Sequence, residues 1–160
     1  MRAWVIDRTV PTAGPAPLRP ADLPPPVPSA REVRLRVLAC GVCRTDLHLL
    51  DGDVPAHGPR VVPGHEIVGV VDGLGVGCER FRLGERVGVA WLRGTCGACR
   101  FCIRGDENLC VDPRFTGWDA DGGYAEHAWI DERFAYRLPA KFSDRQAAHC
   151  CAPASSATAR

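Results

Sequence analysis

Apolar residues recur along this chain in short runs, and glycine and proline interrupt them. In residues 32–40, apolar side chains alternate with Arg34 and Arg36, which is the pattern of a strand with one buried face. Similar runs predict further strands at residues 1–7, 65–71, 85–91 and 122–130. Many short strands with almost no helical periodicity predict a mostly β fold, closed or rolled into a barrel.

Two segments depart from this pattern. Residues 11–30 are rich in proline, which predicts a connection with little regular structure. Ser143, with Gln146 three residues later, is a capping-box pair that predicts the start of a helix. The residues beyond Ala148 lack the apolar spacing that would continue such a helix.

Length and charge limit the classes of protein that this sequence can encode. A chain of 160 residues with a formal net charge of +1 is expected to form one domain that binds neither nucleic acid nor an acidic membrane. No run is apolar enough to cross a bilayer, and no signal peptide is visible. We therefore expect a cytoplasmic protein whose nine cysteines favour metal binding over disulfides.

One group of cysteines has the spacing of a metal site. Two, two and seven residues separate its members, which are Cys96, Cys99, Cys102 and Cys110. Four thiolates complete the tetrahedral shell of zinc and leave no position for water, so this pattern predicts a structural zinc that stiffens a loop. A redox-active cysteine pair and an iron–sulfur cluster are the alternatives, because their ligand spacings are similar.

A second group combines three different ligand types. Cys43 follows a predicted strand, and His65 and Glu66 begin the next one after a Pro–Gly turn. A thiolate, an imidazole and a carboxylate from separate elements can bind zinc and leave one position open for catalysis. Taken singly, Cys43 also suits a small core residue and His65 a strand cap.

Four stretches of the chain together resemble a known family. They read CGVCRTDLH, VPGHEIVG, CGACRFCIRGDENLC and DGGYAEHAWIDERFAYRLP. In this order and at these spacings they resemble the zinc-dependent alcohol dehydrogenases of the medium-chain dehydrogenase/reductase superfamily, most of all the bacterial and yeast-type branch. The resemblance extends from Met1 to Ala148, and it implies a GroES-like β-barrel with a zinc-binding lobe.

The resemblance also implies a role for each motif residue. Cys43 and His65 would be ligands of a catalytic zinc, Glu66 the carboxylate behind it, and Asp46 the acid that orients the histidine. The four clustered cysteines would hold the lobe zinc.

A proton relay and one wall of the substrate pocket follow from the same resemblance. Thr45 would accept the proton of the alcohol, His48 would pass it to solvent, and Trp91 would line the pocket. Zinc would act as a Lewis acid on the substrate oxygen, and NAD(P) would take up the hydride. Two other histidines, His57 and His127, match no family role and are expected to be surface or strand residues.

The family binds its nicotinamide cofactor on a Rossmann domain that follows the barrel. The only glycine-rich candidate here, residues 72–81, has Cys78 where the last glycine of the fingerprint belongs, and no helical pattern follows it. We expect this segment to be a turn between strands and the Rossmann domain to be absent from these 160 residues.

The last residues of the chain depart from the family. After Gln-Ala-Ala the family continues with Pro-Leu-Leu-Cys-Ala-Gly, whose cysteine is the third protein ligand of the catalytic zinc. When the possible codons from His149 onward are read with a one-base shift of the frame, two leucines are forced and every following position can read as this motif. We therefore expect residues 1–148 to be the catalytic domain, residues 149–160 to be a frame-shifted tail, and Cys150 and Cys151 not to be evolved ligands.

Without the third ligand and the nicotinamide domain, this polypeptide alone is expected to be inactive. The full-length relative would act on a small alcohol or aldehyde and form an oligomer. The alternatives are a non-catalytic, zinc-stabilised interaction module with the same barrel, and a polyol or threonine dehydrogenase relative. The combination of CRTDLH with GHE favours the enzyme, because an interaction module needs no relay beside an open zinc site.

Overall fold

The computed structural model describes residues 1–7, 18–55 and 57–151. The strands of these parts are β1 (Arg2–Asp7), β2 (Leu18–Asp22), β3 (Glu32–Gly41), β4 (Arg60–Val61), β5 (Glu66–Leu74), β6 (Arg86–Val89), β7 (Leu92–Gly94), β8 (Arg114–Phe115), β9 (His127–Asp131) and β10 (Ala135–Arg137). The helices are α1 (Arg44–Asp51), α2 (Arg100–Arg104) and α3 (Asp144–Cys150), with 3₁₀ turns at Glu107–Leu109 and Glu132–Phe134. None of the helices in these ranges is long and apolar enough to span a membrane.

A five-stranded antiparallel sheet forms the body of the molecule, in the order β10-β6-β5-β3-β9. Its longest pairing joins β3 to β5, and the register shifts twice, between Arg34 and Leu35 and between Val37 and Ala39. Such irregularities increase the local twist and bend the strand. The expected mostly β fold with a curled sheet is confirmed.

The main core lies on the inner face of this sheet. The alternation in residues 32–40 gives it Val33 and Leu35, both fully buried, and β5 and β9 contribute Ile67 and Ile130. Burying each such side chain contributes about 1.5–3 kcal/mol relative to leaving it in water. The predicted strand at 122–130 begins only at His127. The backbone N–H groups of residues 122–124 instead donate hydrogen bonds to carbonyl groups of residues 62–64, which lead into β5.

A second sheet, in the order β2-β1-β4, corrects one expectation. The proline-rich segment contains the strand β2, which pairs antiparallel with β1 from Arg2 opposite Asp22 to Ile6 opposite Leu18. Pro20 is tolerated because β2 is an edge strand, where a missing N–H leaves no neighbour unpaired. Residues 11–17 of that segment lie outside the described residues.

Helix α1 has no apolar period in the sequence, and local capping accounts for it. The Cys43 side chain accepts a hydrogen bond from a backbone N–H group in the first turn of the helix. The carboxylate of Asp46 in turn accepts the Cys43 N–H at 2.9 Å, so the two residues form a reciprocal cap. Gly52, at a φ of 80°, ends the helix in the left-handed conformation that glycine adopts without strain.

The helix start predicted at Ser143 is confirmed. Ser143 and Gln146 form a capping box at the start of α3, which packs Ala147 and Ala148 against Val68 of the central sheet. The helix continues past the expected boundary at Ala148 to Cys150. Residues 152–160 of the expected tail lie outside the described residues.

Candidate metal centre and active site

The four clustered cysteines converge on one point. Their Sγ atoms are separated by 3.9 Å (Cys96 to Cys102), 3.5 Å (Cys99 to Cys102) and 3.5 Å (Cys96 to Cys110). A zinc ion with four Zn–S bonds of about 2.3 Å places its sulfur atoms about 3.8 Å apart. All nine cysteines are free thiols. The spacing therefore suits four ligands of one tetrahedral ion.

Backbone N–H groups point at the sulfur atoms of this cluster. The N–H groups of Cys96 and Asp112 donate to Cys110 Sγ at 3.3 and 3.4 Å, and the N–H of Cys99 donates to Cys96 Sγ at 3.4 Å. Hydrogen bonds from the N–H groups of Cys102 and Val111 lower the pKa of Cys99 to about 6. At Cys99 the loop thus stabilises the anionic sulfur that a metal ligand requires, whereas burial raises the pKa of Cys102 to about 11.

The second group lies where two strands of the central sheet end. Cys43 follows β3 and caps α1, and His65 immediately precedes β5. Cys43 Sγ and His65 Nε2 are 3.3 Å apart, close to the roughly 3.6 Å that a tetrahedral zinc imposes on one sulfur and one nitrogen ligand. Ligand atoms of Cys43, Asp46 and His65 all lie within 4.8 Å of one another.

Gly64 makes the approach of His65 possible. Its φ is 92°, in the left-handed region, and an added Cβ would lie 2.5 Å from the ring of Tyr124 and 2.8 Å from Cys40 Sγ. No other residue type satisfies both conditions without displacing these groups. The Pro–Gly turn seen in the sequence is therefore what delivers the histidine to Cys43.

Asp46 ties the two strand ends together. Its buried carboxylate accepts the Cys43 N–H at 2.9 Å and the Gly64 N–H at 3.1 Å. Its Oδ1 lies 3.9 Å from His65 Nδ1, which is too long for a hydrogen bond. Burial lowers the pKa of His65, which favours the neutral imidazole that binds metals.

Glu66 is buried beside this group without joining it at that distance. An added Cβ on Gly41 would lie 2.0 Å from its Oε2, so the carboxylate fills the space that this glycine leaves. Within the described part of the chain, Oε2 has no hydrogen-bond partner. Burial raises the pKa of Glu66, and His149 partly opposes this effect. A buried charged carboxylate without a hydrogen-bond partner is unfavourable, and a cation bound nearby would stabilise it.

The two expected relay residues lie on α1. Thr45 is half-buried, and its N–H donates to Cys43 Sγ at 3.3 Å. His48 lies one turn further and contacts Asp53 through Nδ1, at 2.7 Å from Oδ2. Asp53 was not predicted as a site residue, because its only signal in the sequence is its place directly after the glycine that ends the helix.

Aromatic rings pack beside the second group. The rings of Trp91 and His65 pack in a T-shaped arrangement, with centroids 4.8 Å apart, and the Phe115 ring stacks on Trp91 at 4.8 Å. Trp118 lies nearly parallel to Trp91 at 5.9 Å, and His57 stacks on Trp118 at 4.3 Å. Trp91 was predicted from the sequence as a pocket residue, whereas Phe115 and Trp118 were not, although both closely follow the last cysteine of the cluster.

The remaining histidines and cysteines lie outside both groups. His57 is exposed but packs on Trp118, whereas His127 lies in β9 and its Nε2 is 3.2 Å from Asp72. Cys150 is exposed, and Cys151 is buried near the Ile67 carbonyl. Neither belongs to a metal-type group formed by the described residues.

The curled sheet carries a closed four-cysteine group and, at its strand ends, a cysteine–histidine group. The molecule is thus a β domain with two candidate metal sites. Residues 29–140 match the family described as the alcohol dehydrogenase GroES-like domain. The chain belongs to this family, and the resemblance seen in its motifs is confirmed.

Individual relatives agree with this assignment. The chain is 51% identical over 154 residues to "Probable alcohol dehydrogenase AdhA" of Mycobacterium tuberculosis. This match covers 92% of the chain and 44% of that protein. Among solved structures, an NAD-dependent alcohol dehydrogenase is 34% identical with a TM-score of 0.83, over 92% of this chain and 42% of the other.

An Escherichia coli alcohol dehydrogenase, described as short chain and solved with NADH, is 35% identical with a TM-score of 0.80. That match covers 92% of this chain and 41% of the other. The chain therefore spans less than half the length of these relatives.

Proposed function

We propose that this chain is the catalytic domain of a zinc-dependent alcohol dehydrogenase that oxidises alcohols to aldehydes or ketones with NAD(P). The observation that supports it most is the convergence of Cys43 Sγ and His65 Nε2 at 3.3 Å, beside a separate four-thiol group. The first group supplies two ligands and leaves coordination positions open, whereas the second is closed. One closed and one open zinc site suit a catalytic domain better than an interaction module.

Cys43 and His65 would hold the catalytic zinc, as a thiolate and a neutral imidazole. When bound, the ion supplies Lewis acidity toward the oxygen of the alcohol. Asp46 keeps both ligand-bearing strand ends in place through its two N–H contacts. The buried Glu66 carboxylate would balance the charge of the ion from behind Gly41.

Thr45 and His48 would move the proton of the alcohol. The Thr45 hydroxyl is the group expected to accept it, and His48 would release it, since its side chain is 39% exposed. Asp53 holds Nδ1 of His48 and leaves Nε2 free for the exchange with solvent.

The hydride acceptor would be NAD(P), as in the relative solved with NADH. The sequence has no dinucleotide fingerprint, so we expect the acceptor to bind in the part of the longer relatives that these 160 residues do not cover. These residues alone are then expected to bind zinc without oxidising alcohols.

Zinc content tests the proposal directly. The purified chain should retain two zinc ions, and Cys43→Ser should retain one, because the substitution removes a ligand of the open site only. Cys150→Ser is the matched control, since that cysteine is exposed and outside both groups, and it should retain two. A wild-type chain that holds a single zinc, with the same content in Cys43→Ser, would contradict the proposal.

A further inference from the structure

We propose that His57, Trp118 and Asp119 form a clamp at the rim of the site, and that this rim clamp positions the metal-binding ring of His65 through Trp91. The inference rests on the proposed function, since it assumes a metal at Cys43 and His65. The three clamp residues are positioning residues and lie outside the group of ligands.

The rim clamp joins two loops that are far apart in the sequence. His57 lies in the loop between α1 and β4, and its Nδ1 is 2.5 Å from Asp119 Oδ1. The His57 ring also stacks on Trp118, with centroids 4.3 Å apart and planes at 23°. The indole N–H of Trp118 donates to the carbonyl of Pro55 at 2.8 Å. Three different contacts therefore hold the loop after α1 against the loop after β8.

The loop after β8 is itself firmly held. Asp119 Oδ2 accepts the Phe115 N–H at 2.6 Å, and the Asp119 N–H donates to the Phe115 carbonyl at 3.0 Å. The buried Thr116 donates its hydroxyl to the Ala90 carbonyl at 2.9 Å. The side chain of Asp119 is only 13% exposed. Trp118 and Asp119 are thus presented to His57 by a preorganised turn.

Packed aromatic rings connect the rim clamp to the candidate metal ligand His65. Trp118 and Trp91 are nearly parallel, with an angle of 12° between their planes, and Phe115 packs against both rings. The Trp91 ring then packs against the ring of His65, with an angle of 70° between their planes. These rings form a continuous series of contacts from the surface to the candidate ligand.

Packing matters here because the usual restraint on a ligand histidine is weak. A metal-bound histidine normally donates its second ring N–H to a carboxylate or carbonyl, which fixes the ring. In the described part of the chain, His65 Nδ1 is buried without a hydrogen-bond partner, and Asp46 is 3.9 Å away. Besides the contact of His65 Nε2 with Cys43 Sγ, the packing of the ring against Trp91 is therefore what orients it.

The same clamp touches the relay side of the site. The loop that carries His57 also contains Asp53, the residue that holds His48. By fixing this loop against the aromatic series, the rim clamp sets the relay histidine and the ligand histidine relative to each other. The two halves of the site come from different elements and need such a connection.

Cadmium-113 NMR of the 160-residue chain loaded with ¹¹³Cd²⁺ tests the inference. A four-thiolate site and a mixed cysteine–histidine site give separate resonances, so each spectrum contains its own internal control. We expect Trp118→Ala to shift the mixed-site resonance and to weaken cadmium binding there about tenfold, the range found when a residue that orients a metal ligand is removed. The four-thiolate resonance should not change.

Conservative variants separate positioning from general stability. Trp118→Phe keeps the ring and should restore most of the affinity, and His57→Ala should shift the mixed-site resonance in the same direction as Trp118→Ala. His127→Ala is the matched control, because it removes another partly exposed histidine paired with an aspartate and should leave both resonances in place. If Trp118→Ala fails to fold, His57→Ala carries the test, because the His57 side chain is exposed.

Two negative results are distinguishable. A folded Trp118→Ala or His57→Ala chain with an unchanged mixed-site resonance and affinity overturns the rim clamp and leaves the proposed function intact. A wild-type chain that shows only the four-thiolate resonance overturns the open metal site, and the clamp with it.

Discussion

At the scale of single residues, Asp46 holds the candidate metal centre together. Its carboxylate accepts two backbone N–H groups from different elements, and it is almost fully buried. We predict that Asp46→Asn lowers the free energy of unfolding by about 1–3 kcal/mol, because the amide offers one acceptor fewer and turns its own donors toward N–H groups. Zinc affinity at the open site should fall about 10–100-fold.

Urea unfolding and zinc titration measure these two effects. Asp53→Asn is the control for unfolding, since the Asp53 side chain is 60% exposed and its loss should change stability little. Equal stability of Asp46→Asn and the wild-type chain would show that the two N–H contacts do not hold the strand ends.

Glu66 gives the second prediction at this scale, and it depends on pH. Burial raises its pKa above the ordinary value of 4.5, so the folded metal-free chain releases this proton less readily than the unfolded chain. The group therefore destabilises the fold when pH exceeds its folded pKa, and this penalty disappears as pH falls toward 4.5. Glu66→Gln should raise the melting temperature of the metal-free chain at pH 8, with an advantage that shrinks on acidification.

Each pH requires its own comparison with the wild-type chain. Glu126, Asp131 and Glu132 have lowered pKa values and make both proteins less stable in acid. With zinc bound, the sign should reverse, because Glu66→Gln removes a negative charge beside the ion. A constant difference between the two metal-free proteins from pH 8 to pH 4.5 would contradict the assignment to Glu66.

At the scale of elements, the start of α3 shows how a local signal sets a helix. The Ser143 side chain accepts from the Gln146 N–H, and Gln146 accepts from the Ser143 N–H at 3.1 Å. Ser143→Ala should lower the free energy of unfolding by about 1 kcal/mol, the usual loss on removing an N-cap. Ser143→Asp keeps an acceptor at the cap and should be nearly neutral in the same urea measurement.

The elements also show which features the sequence predicted and why others escaped it. The alternation in residues 32–40 and the Ser143–Gln146 pair are local patterns, and both predictions are confirmed. The strand β2 was missed because its pairing with β1 overrides the low strand propensity of a proline-rich segment. Helix α1 was missed because its cap uses a cysteine, which is not among the usual capping residues.

Some features of the site were likewise predictable from the sequence, and others were not. The types of ligand residue and their spacing are visible in the sequence, so the four clustered cysteines and the pair of Cys43 and His65 could be predicted from it. The contact of Trp118 with His57 joins two residues 61 positions apart, and no local sequence pattern predicts it. The displacement of Glu66 from the ligand group depends on the close packing at Gly41, which is also a tertiary property.

At the scale of the whole molecule, the domain separates its two metal groups by role. The four-cysteine group is satisfied by its own loop. The Cys43–His65 group lies where two strands of the central sheet end, and the described residues bring too few ligands there to close a shell. This difference between a closed and an open site is the central claim, since catalysis requires the open one.

The visible spectrum of the chain loaded with cobalt(II) tests this claim most directly. Cobalt takes the place of zinc at both sites, and added imidazole can bind only where a coordination position is open. We predict a spectral change on adding imidazole to the wild-type chain and none in Cys43→Ser, where the four-thiolate bands alone remain. A wild-type spectrum that imidazole leaves unchanged, or the same response in Cys43→Ser, would contradict an open metal site at Cys43 and His65.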